Sequence, residues 1–472
     1  MENSDLLIRD TTVLTCDTDR RLLQDTSIAV IGGRIAAIGP TATLDETYAA
    51  LPRFEAAGLG VLPGFVNAHS HTVLNALKGT VEDWSGEAIY NYMTPISYAM
   101  TGEERAAVAV LGCVEAIRSG TTTVVDPFRH VATYADAMAA TGLRLWLSEA
   151  CADIDTRRIR HGDYSVDPAF GDAFFDRSMA LIDDFHGSHQ GRVRCQVAAH
   201  APDNCSPLIL KRLRDAAEQR GLTRTIHLSQ SQGEEAAVLK RTGLSSTAYL
   251  AQQGFLGPDL LAAHLTFCRP DDIALLARHR VRMAHTPASI SRRGVHKALI
   301  GTIRDAGIEV ALGTDNMSAD MFQALAFGSI LHRTGRGREV EGGVQPQPQD
   351  MLDMATRHGA AAVGALDEIG SIEVGKKADL AVLNLRSPSL RPLIRLASNI
   401  VHYGHPGTVH SVLVEGRFLM RDGRLTTVDE DAVVDRAEQV VQDVWRRMVR
   451  QNPDIARPAG EIPWLDAAQV AQ

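Results

Sequence analysis

The chain has 472 residues, of which 45% are hydrophobic and 22% are charged, a composition typical of a folded protein with a large core. Its formal net charge of −9 argues against nucleic acid or an anionic membrane as a partner, because both require a concentrated basic surface. The N-terminus has no basic segment followed by an apolar run, and no stretch reaches the roughly 18 apolar residues of a membrane span. We therefore expect a cytoplasmic protein whose partner is a small molecule.

Both ends of the chain have the pattern of short strands. Residues 1–62 and 365–428 contain brief apolar runs separated by turn signals, such as 27–31 followed by two glycines. Neither segment is long enough to bury a good sheet alone, so we predict that the two combine into one small β-sandwich-like domain. A charged amphipathic helix and a tail are predicted at 429–472.

Residues 63–364 alternate short apolar or β-branched runs with longer stretches of helical periodicity, which is the pattern of repeated βα units. Eight strands are predicted, at 64–69, 121–126, 143–149, 193–200, 223–228, 260–264, 281–285 and 308–315. Eight such units close into a barrel. The predicted fold class is therefore α/β, a (β/α)8 TIM barrel with a small composite β domain formed by the N- and C-terminal segments.

Most of these strands end on a side chain that can bind a metal ion or a substrate. The residues are His69, Asp126, Glu149, His200, His227, His264, His285 and Asp315. In a (β/α)8 barrel the C-terminal strand ends surround the active site, so these groups should converge on one mouth. One or two polar residues at strand ends are unremarkable in any sheet, but five histidines fit that interpretation poorly.

A metal site is predicted from four of these positions. His69 and His71 are separated by one residue, so both imidazoles of a strand can face the same ion, although such a pair alone is a weak signal. His227 and Asp315 complete a set of three imidazoles and one carboxylate, which suits a single divalent ion. Zinc is expected first, with cobalt, iron or manganese as alternatives. Such an ion would lower the pKa of a bound water and provide hydroxide as the nucleophile.

The sequence resembles the amidohydrolase superfamily, in particular the branch of triazine hydrolases and cytosine or guanine deaminases. The matching segments read Pro-Gly-Phe-Val-Asn-Ala-His-Ser-His at 63–71, Ser-Gly-Thr-Thr-Thr-Val-Val-Asp at 119–126, Ile-His-Leu at 226–228 and Ala-Leu-Gly-Thr-Asp at 311–315. The resemblance covers about residues 5 to 425 and implies the same four metal ligands. It also implies that Asp315 is the base that takes a proton from the water. His264 would stabilise the developing oxyanion.

The sequence departs from the pattern of this family in two ways. Binuclear members hold a second ion through a carboxylated lysine on the fourth strand, but 193–200 contains no lysine, so we expect one metal. Members that deaminate aromatic rings usually carry a glutamate three residues after the fifth-strand histidine, where this chain has Gln230. An amide cannot supply a proton to a ring nitrogen, although it can hydrogen-bond a carbonyl or an N–H group. Glu234 or Glu235 could replace the acid, but their position favours the start of a helix.

These features lead us to expect a mononuclear metal-dependent hydrolase that cleaves the C–N or C–S bond of a small amide, urea or (thio)carbamate. The phenylurea and thiocarbamate (molinate) hydrolases of the same branch are compatible with such a site. The alternative is an aminohydrolase of a nitrogen heteroaromatic of the triazine, purine or pyrimidine type, and a remote alternative is a non-catalytic barrel that binds a metal or ligand. The expected substrate contacts are Gln230, His200, His285 and Asn316. We also expect a homo-oligomer, because many barrels of this type associate through their side surfaces.

Overall fold

The computed structural model describes residues 5–82, 88–292, 294, 300–333, 339–340 and 343–455. A parallel sheet runs through the chain in sequence order and provides the eight barrel strands. The strands are Phe65–Asn67, Thr121–Phe128, Arg144–Cys151, Val193–Cys195 continued by Val197–Ala199, Arg224–Leu228, Leu260–His264, Arg282–His285 and Val310–Leu312. The predicted barrel is thereby confirmed.

The first and eighth strands close the barrel through both backbone and side-chain hydrogen bonds. The N–H of Ala68 donates to the carbonyl of Leu312 at 2.9 Å. The side chain of Asn67 bonds Thr314 twice, because its Nδ2 donates to the hydroxyl at 2.8 Å and its Oδ1 accepts from the backbone N–H at 3.0 Å. This amide is fully buried, so its two bonds satisfy polar groups that would otherwise be costly to bury.

Helices surround the sheet, and several of them begin at a side-chain cap. Helix Gly102–Arg118, for example, begins at a capping box in which Thr101 and Glu104 each accept a hydrogen bond from the other's backbone N–H, at 3.3 and 2.8 Å. The α-helices of six residues or more in the described part of the chain are Thr41–Thr47, Thr94–Ala99, Gly102–Arg118, Ala135–Ala140, Pro168–Phe185, Pro207–Arg220, Gln232–Thr242, Ser246–Gln252, Pro270–Arg278, Pro287–Arg292, Ile300–Asp305, Met321–Leu331, Pro348–Ala355, Arg357–Ala362, Leu396–Tyr403 and Glu430–Gln451. The predicted tail beyond residue 455 lies outside the described residues.

A second sheet combines both ends of the chain, as predicted. Leu59–Pro63 pairs in antiparallel register with Leu380–Asn384 and so joins the N-terminal strands to the C-terminal ones. The strands of this sheet are Leu6–Leu14, Leu22–Ile31, Arg34–Pro40, Arg53–Glu55, Leu59–Pro63, Leu380–Asn384, Val409–Val414, Arg417–Arg421 and Arg424–Leu425.

A buried ion cluster attaches this sheet to the barrel. Arg144 begins the third barrel strand and is 1% exposed, and its guanidinium lies 2.7 Å from Asp379 and 3.0 Å from Glu415. Because Arg144 is at the N-terminal end of its strand, the contact is on the barrel face opposite the C-terminal strand ends. Among the described residues no helix is long and apolar enough to span a membrane.

Candidate metal centre and substrate cavity

The four predicted ligands meet at the C-terminal end of the barrel. The Nε2 atoms of His71 and His227 are 3.1 Å apart. Asp315 Oδ1 lies 3.5 Å from His71 Nε2 and 3.8 Å from His69 Nε2. Ligand atoms at about 2.0–2.1 Å from a tetrahedral zinc ion are about 3.3 Å from one another. The spacing of these donors therefore fits a single ion of that size.

The protonation and burial of the histidines also fit a metal. His69 is fully buried, and neither of its ring nitrogens has a hydrogen-bond partner among the described residues. Burial, reinforced by the neighbouring imidazoles, holds the pKa of His69 and His71 well below the usual range. Burial lowers the pKa of His227 to about 4. Neutral imidazoles keep the lone pair that a metal requires, so this set is suited to a divalent cation.

Neighbouring groups orient two of the ligands. The Nδ1–H of His227 donates to the backbone carbonyl of His200 at 2.7 Å, which turns the Nε2 lone pair toward the other ligands. Asp315 directs Oδ1 to the histidines, while its Oδ2 accepts a hydrogen bond from the Ser289 hydroxyl at 2.6 Å. Sequence reasoning missed Ser289, because a serine in the short helix Pro287–Arg292 carries no periodic or motif signal.

The backbone around Asp315 is held close to the first strand. Its N–H donates to the carbonyl of His69 at 2.9 Å, and its carbonyl accepts from the N–H of His71 at 2.8 Å. A Cβ at Gly313 would lie 2.6 Å from the His69 carbonyl oxygen, so this approach requires glycine. Asp315 itself has a left-handed backbone with φ of +67°. Such conformations are strained for residues other than glycine and are found preferentially at functional sites.

His264 lies beside these candidate ligands. Its ring stacks on His227 with centroids 5.5 Å apart and an angle of 15° between the planes. Its Nδ1 is 3.0 Å from the Thr286 hydroxyl. The residue is 3% exposed and also has a left-handed backbone, with φ of +81°.

A cavity of about 410 Å3, counting the space at its open mouth, adjoins the candidate metal ligands. Three of the four predicted substrate contacts, Gln230, His200 and Asn316, line it together with His71, His227 and Asp315. His285 is not among the lining residues. Its Nε2 lies 2.8 Å from Nε2 of His332, so the structure places this histidine in a separate pair.

Glu234 supports the loop that carries Gln230. Its buried carboxylate accepts the N–H groups of Ser229 and Gln230 at 2.8 and 2.9 Å. Burial, with a further contribution from Asp203, raises the pKa of Glu234 well above its usual range. Glu235 accepts from the Ser229 hydroxyl at 2.6 Å. Neither glutamate lines the cavity, and both lie in the first turn of helix Gln232–Thr242.

Comparison with known proteins finds relatives along nearly the whole chain. The chain is 31% identical to a 5-methylthioadenosine/S-adenosylhomocysteine deaminase of Syntrophobacter fumaroxidans, over 93% of this chain and 98% of the relative. A zinc-bound adenosine deaminase from Xanthomonas campestris superposes with a TM-score of 0.82 at 25% identity, over 94% of this chain and 99% of that one. The zinc complex of atrazine chlorohydrolase from Arthrobacter aurescens has the same fold, with a TM-score of 0.82 at 22% identity, over 92% and 100% of the two chains.

The predicted family is thereby confirmed, and with it an activity on carbon–nitrogen bonds other than peptide bonds. The model of the amidohydrolase family matches residues 61–419, which is more than half of the sequence and includes every candidate ligand. The chain belongs to the amidohydrolase family.

Proposed function

We propose that this protein is a hydrolytic deaminase that removes an amino or alkylamino group from a nitrogen heteroaromatic, using one divalent ion, zinc. The observation that carries the proposal is the position of Asp315, whose carboxylate bridges the metal histidines and Ser289 beside an open cavity. Relatives that are named adenosine-type deaminases support the heteroaromatic substrate. They favour it over the urea or carbamate that the sequence led us to expect.

When bound, the ion would supply an activated water and polarise the reacting carbon. Asp315 is placed to accept the proton of that water and to pass it to the departing amine, because its Oδ1 faces the ligand cluster. His264, which packs against His69 and His227, is placed to stabilise the negative charge that develops on the oxygen beside the reacting carbon. The amide of Gln230 would orient a ring N–H or carbonyl group through hydrogen bonds.

One observation favours the second candidate, hydrolysis at the carbonyl of a urea, carbamate or amide. Attack on an aromatic ring carbon benefits from protonation of the adjacent ring nitrogen, and Gln230 cannot donate a proton there. Attack on a carbonyl can proceed with the metal polarising the oxygen alone. Glu234 does not fill the gap, because both of its oxygens accept backbone N–H groups outside the cavity.

The test is release of ammonia, alkylamine or arylamine by the zinc-loaded protein from a panel of purines, pterins, triazines, phenylureas and thiocarbamates. Ring substrates should react, and turnover confined to the ureas and carbamates would establish the second candidate instead. Absence of turnover across the whole panel, with zinc content verified, would favour a non-catalytic barrel.

Substitution of Gln230 separates the two hydrolytic candidates further. Gln230→Glu restores a proton carrier and should raise ring deamination by about tenfold or more, while leaving carbonyl hydrolysis unchanged or reduced. Gln232→Glu is the matched control, because it adds the same charge two residues away at an exposed position outside the cavity. An increase in the control variant equal to that in Gln230→Glu would show that the effect is not due to proton transfer.

A further inference from the structure

We propose that Arg129 and His200 form a paired-donor site for a carboxylate of the substrate, immediately beside the metal ligands. The inference rests on the proposed function for the position of the reacting end and adds the chemical class of the substrate, a small anionic heteroaromatic. Both residues line the cavity, and they reach it from the ends of different barrel strands, the second and the fourth.

Arg129 is a buried cation without a carboxylate in ion-pair contact among the described residues. It is 3% exposed, and its Nη1 donates to the hydroxyls of Thr94 and Ser97 at 3.2 Å each. The guanidinium lies 5.4 Å from the ring centroid of Phe128 and 5.5 Å from that of Tyr98. Hydroxyls and aromatic rings hold the group in place but do not neutralise it. A buried charge is unfavourable unless it is paired, so the cavity is suited to a ligand that brings the counter-charge.

The hydrogen bonds around Asn204 assign the tautomer of His200. Asn204 Oδ1 accepts from the N–H of Ala201 at 3.1 Å. The Tyr90 hydroxyl donates to the Asp203 carboxylate at 2.6 Å, so its oxygen accepts from Asn204 Nδ2 at 3.2 Å. Both contacts give the amide the same orientation, in which Nδ2 also donates to His200 Nδ1 at 2.6 Å. Nδ1 is therefore the unprotonated nitrogen of His200, and Nε2 carries the proton.

This tautomer places two donors side by side. His200 Nε2 lies 3.3 Å from Nη2 of Arg129, and since both atoms carry hydrogens they cannot bond each other. Both can instead donate to one acceptor group in the cavity. A carboxylate accepts two such bonds in parallel and also neutralises the guanidinium. A neutral carbonyl would accept the bonds but would leave the buried charge uncompensated.

The distance of this donor pair from the metal ligands limits the size of the substrate. The His200 ring centroid is 5.1 Å from that of His227. The carboxylate would thus lie about one aromatic ring away from the reacting carbon. We infer a compact substrate with its carboxylate on or next to the ring, in preference to a neutral nucleoside or to an anion on a long side chain.

Calorimetric titration of the zinc-loaded protein with benzoate and with benzamide tests the site. Benzoate should bind at least about tenfold more tightly, and Arg129→Gln should weaken benzoate by about 10- to 100-fold and benzamide much less, because glutamine can still donate a hydrogen bond to a neutral carbonyl. Arg129→Lys, which keeps the charge but loses the second donor, should give an intermediate affinity. Arg157→Gln is the matched control, because Arg157 also lies over Tyr98, at 4.8 Å, but is paired with Asp155 at 2.7 Å. The control should bind benzoate as the parent protein does.

Equal affinity for the two ligands, or unchanged benzoate binding in Arg129→Gln, would overturn the proposal and would indicate that the carboxylate binds the metal instead. If Arg129→Gln loses its zinc or its fold, His200→Phe serves in its place, since His227 uses only the backbone carbonyl of that residue. The same loss of benzoate binding is expected there. Failure of the proposed function is distinguishable from failure of this site, because the function is measured by amine release and the site by calorimetry. Deamination of neutral rings without a preference for benzoate would refute only the carboxylate site. Preferential binding of benzoate without deamination would refute only the proposed reaction.

Discussion

Removal of the Ser289 hydroxyl tests whether Asp315 is a positioned ligand. Ser289 is fully buried and donates to Asp315 Oδ2 at 2.6 Å, while Oδ1 faces the metal histidines. Ser289→Ala takes away a hydrogen bond to a charged group, which contributes about 1.5–3 kcal/mol. Loss of a hydrogen-bond partner of a metal ligand typically weakens metal binding or activity by about 10- to 100-fold, equivalent to about 1.4–2.7 kcal/mol. We therefore expect Ser289→Ala to lower zinc affinity, kcat or both by about 10- to 100-fold.

Zinc affinity is measured by competition with a chelating dye, and kcat is then measured at saturating zinc on a substrate that releases an amine. Ser291→Ala is the matched control, because Ser291 lies in the same helix but donates to the carbonyl of Pro287 at 2.5 Å. The control should retain the parent zinc affinity and kcat. The reasoning would be refuted by a Ser289→Ala variant whose zinc affinity and kcat both lie within twofold of the control.

Three further predictions concern the metal, the barrel closure and the link between the two sheets. Chelation should abolish amine release and lower Tm, and zinc should restore both, because a ligand that binds only the folded state stabilises it; full activity in a verified metal-free sample would contradict the site. Gly313→Ala should displace the His69 backbone, lower the zinc content and reduce the free energy of unfolding by about 1–3 kcal/mol. The control is Gly301→Ala, which lies in open space on a helix. In thermal unfolding it should leave the stability of the protein unchanged or raise it by about 0.5–1 kcal/mol. Arg144→Met should lower the free energy of unfolding by about 3–5 kcal/mol, because it leaves the buried carboxylate of Asp379 without its cationic partner. A Tm within 1–2 °C of the parent protein would show that the ion pair is dispensable.

The convergence of the four candidate ligands could be predicted because it depends on periodicity and on strand ends alone. Alternation within a strand and the convergence of strand ends in a barrel place His69, His71, His227 and Asp315 at one mouth, whatever the side-chain details. The groups that orient them could not be predicted in the same way. Ser289 reaches Asp315 from a short helix after the seventh strand, and the role of Asn204 depends on three partners that only the folded chain brings together.

The alternation of side chains along a strand also explains why His264 and His285 point in different directions, although the sequence made both of them candidate site residues. Ala263 and Ala284 belong to a small apolar cluster that is separate from the core between strands and helices, so they face the barrel interior; its other members are Ala68, Leu261, Ala311 and Ala362. By alternation the next residue of each strand should point outward. His285 follows this rule and pairs with His332. His264 is turned back toward the mouth by its left-handed backbone, which the sequence does not reveal.

The backbone of the loop that carries Gln230 is held in place independently of the side chain at that position. Glu234 holds the backbone N–H groups of Ser229 and Gln230, and this clamp is independent of the side chain at position 230. An exchange between glutamine and glutamate there should therefore leave the loop in place and change only what the side chain can donate to a substrate. An anionic substrate held by Arg129 would make a neutral amide at position 230 favourable, because a glutamate facing the same small cavity would repel it. Gln230→Glu should accordingly weaken benzoate binding even if it accelerates deamination of neutral rings, and calorimetry of that variant would show whether the neutral amide at position 230 and the proposed Arg129 site are adapted to each other.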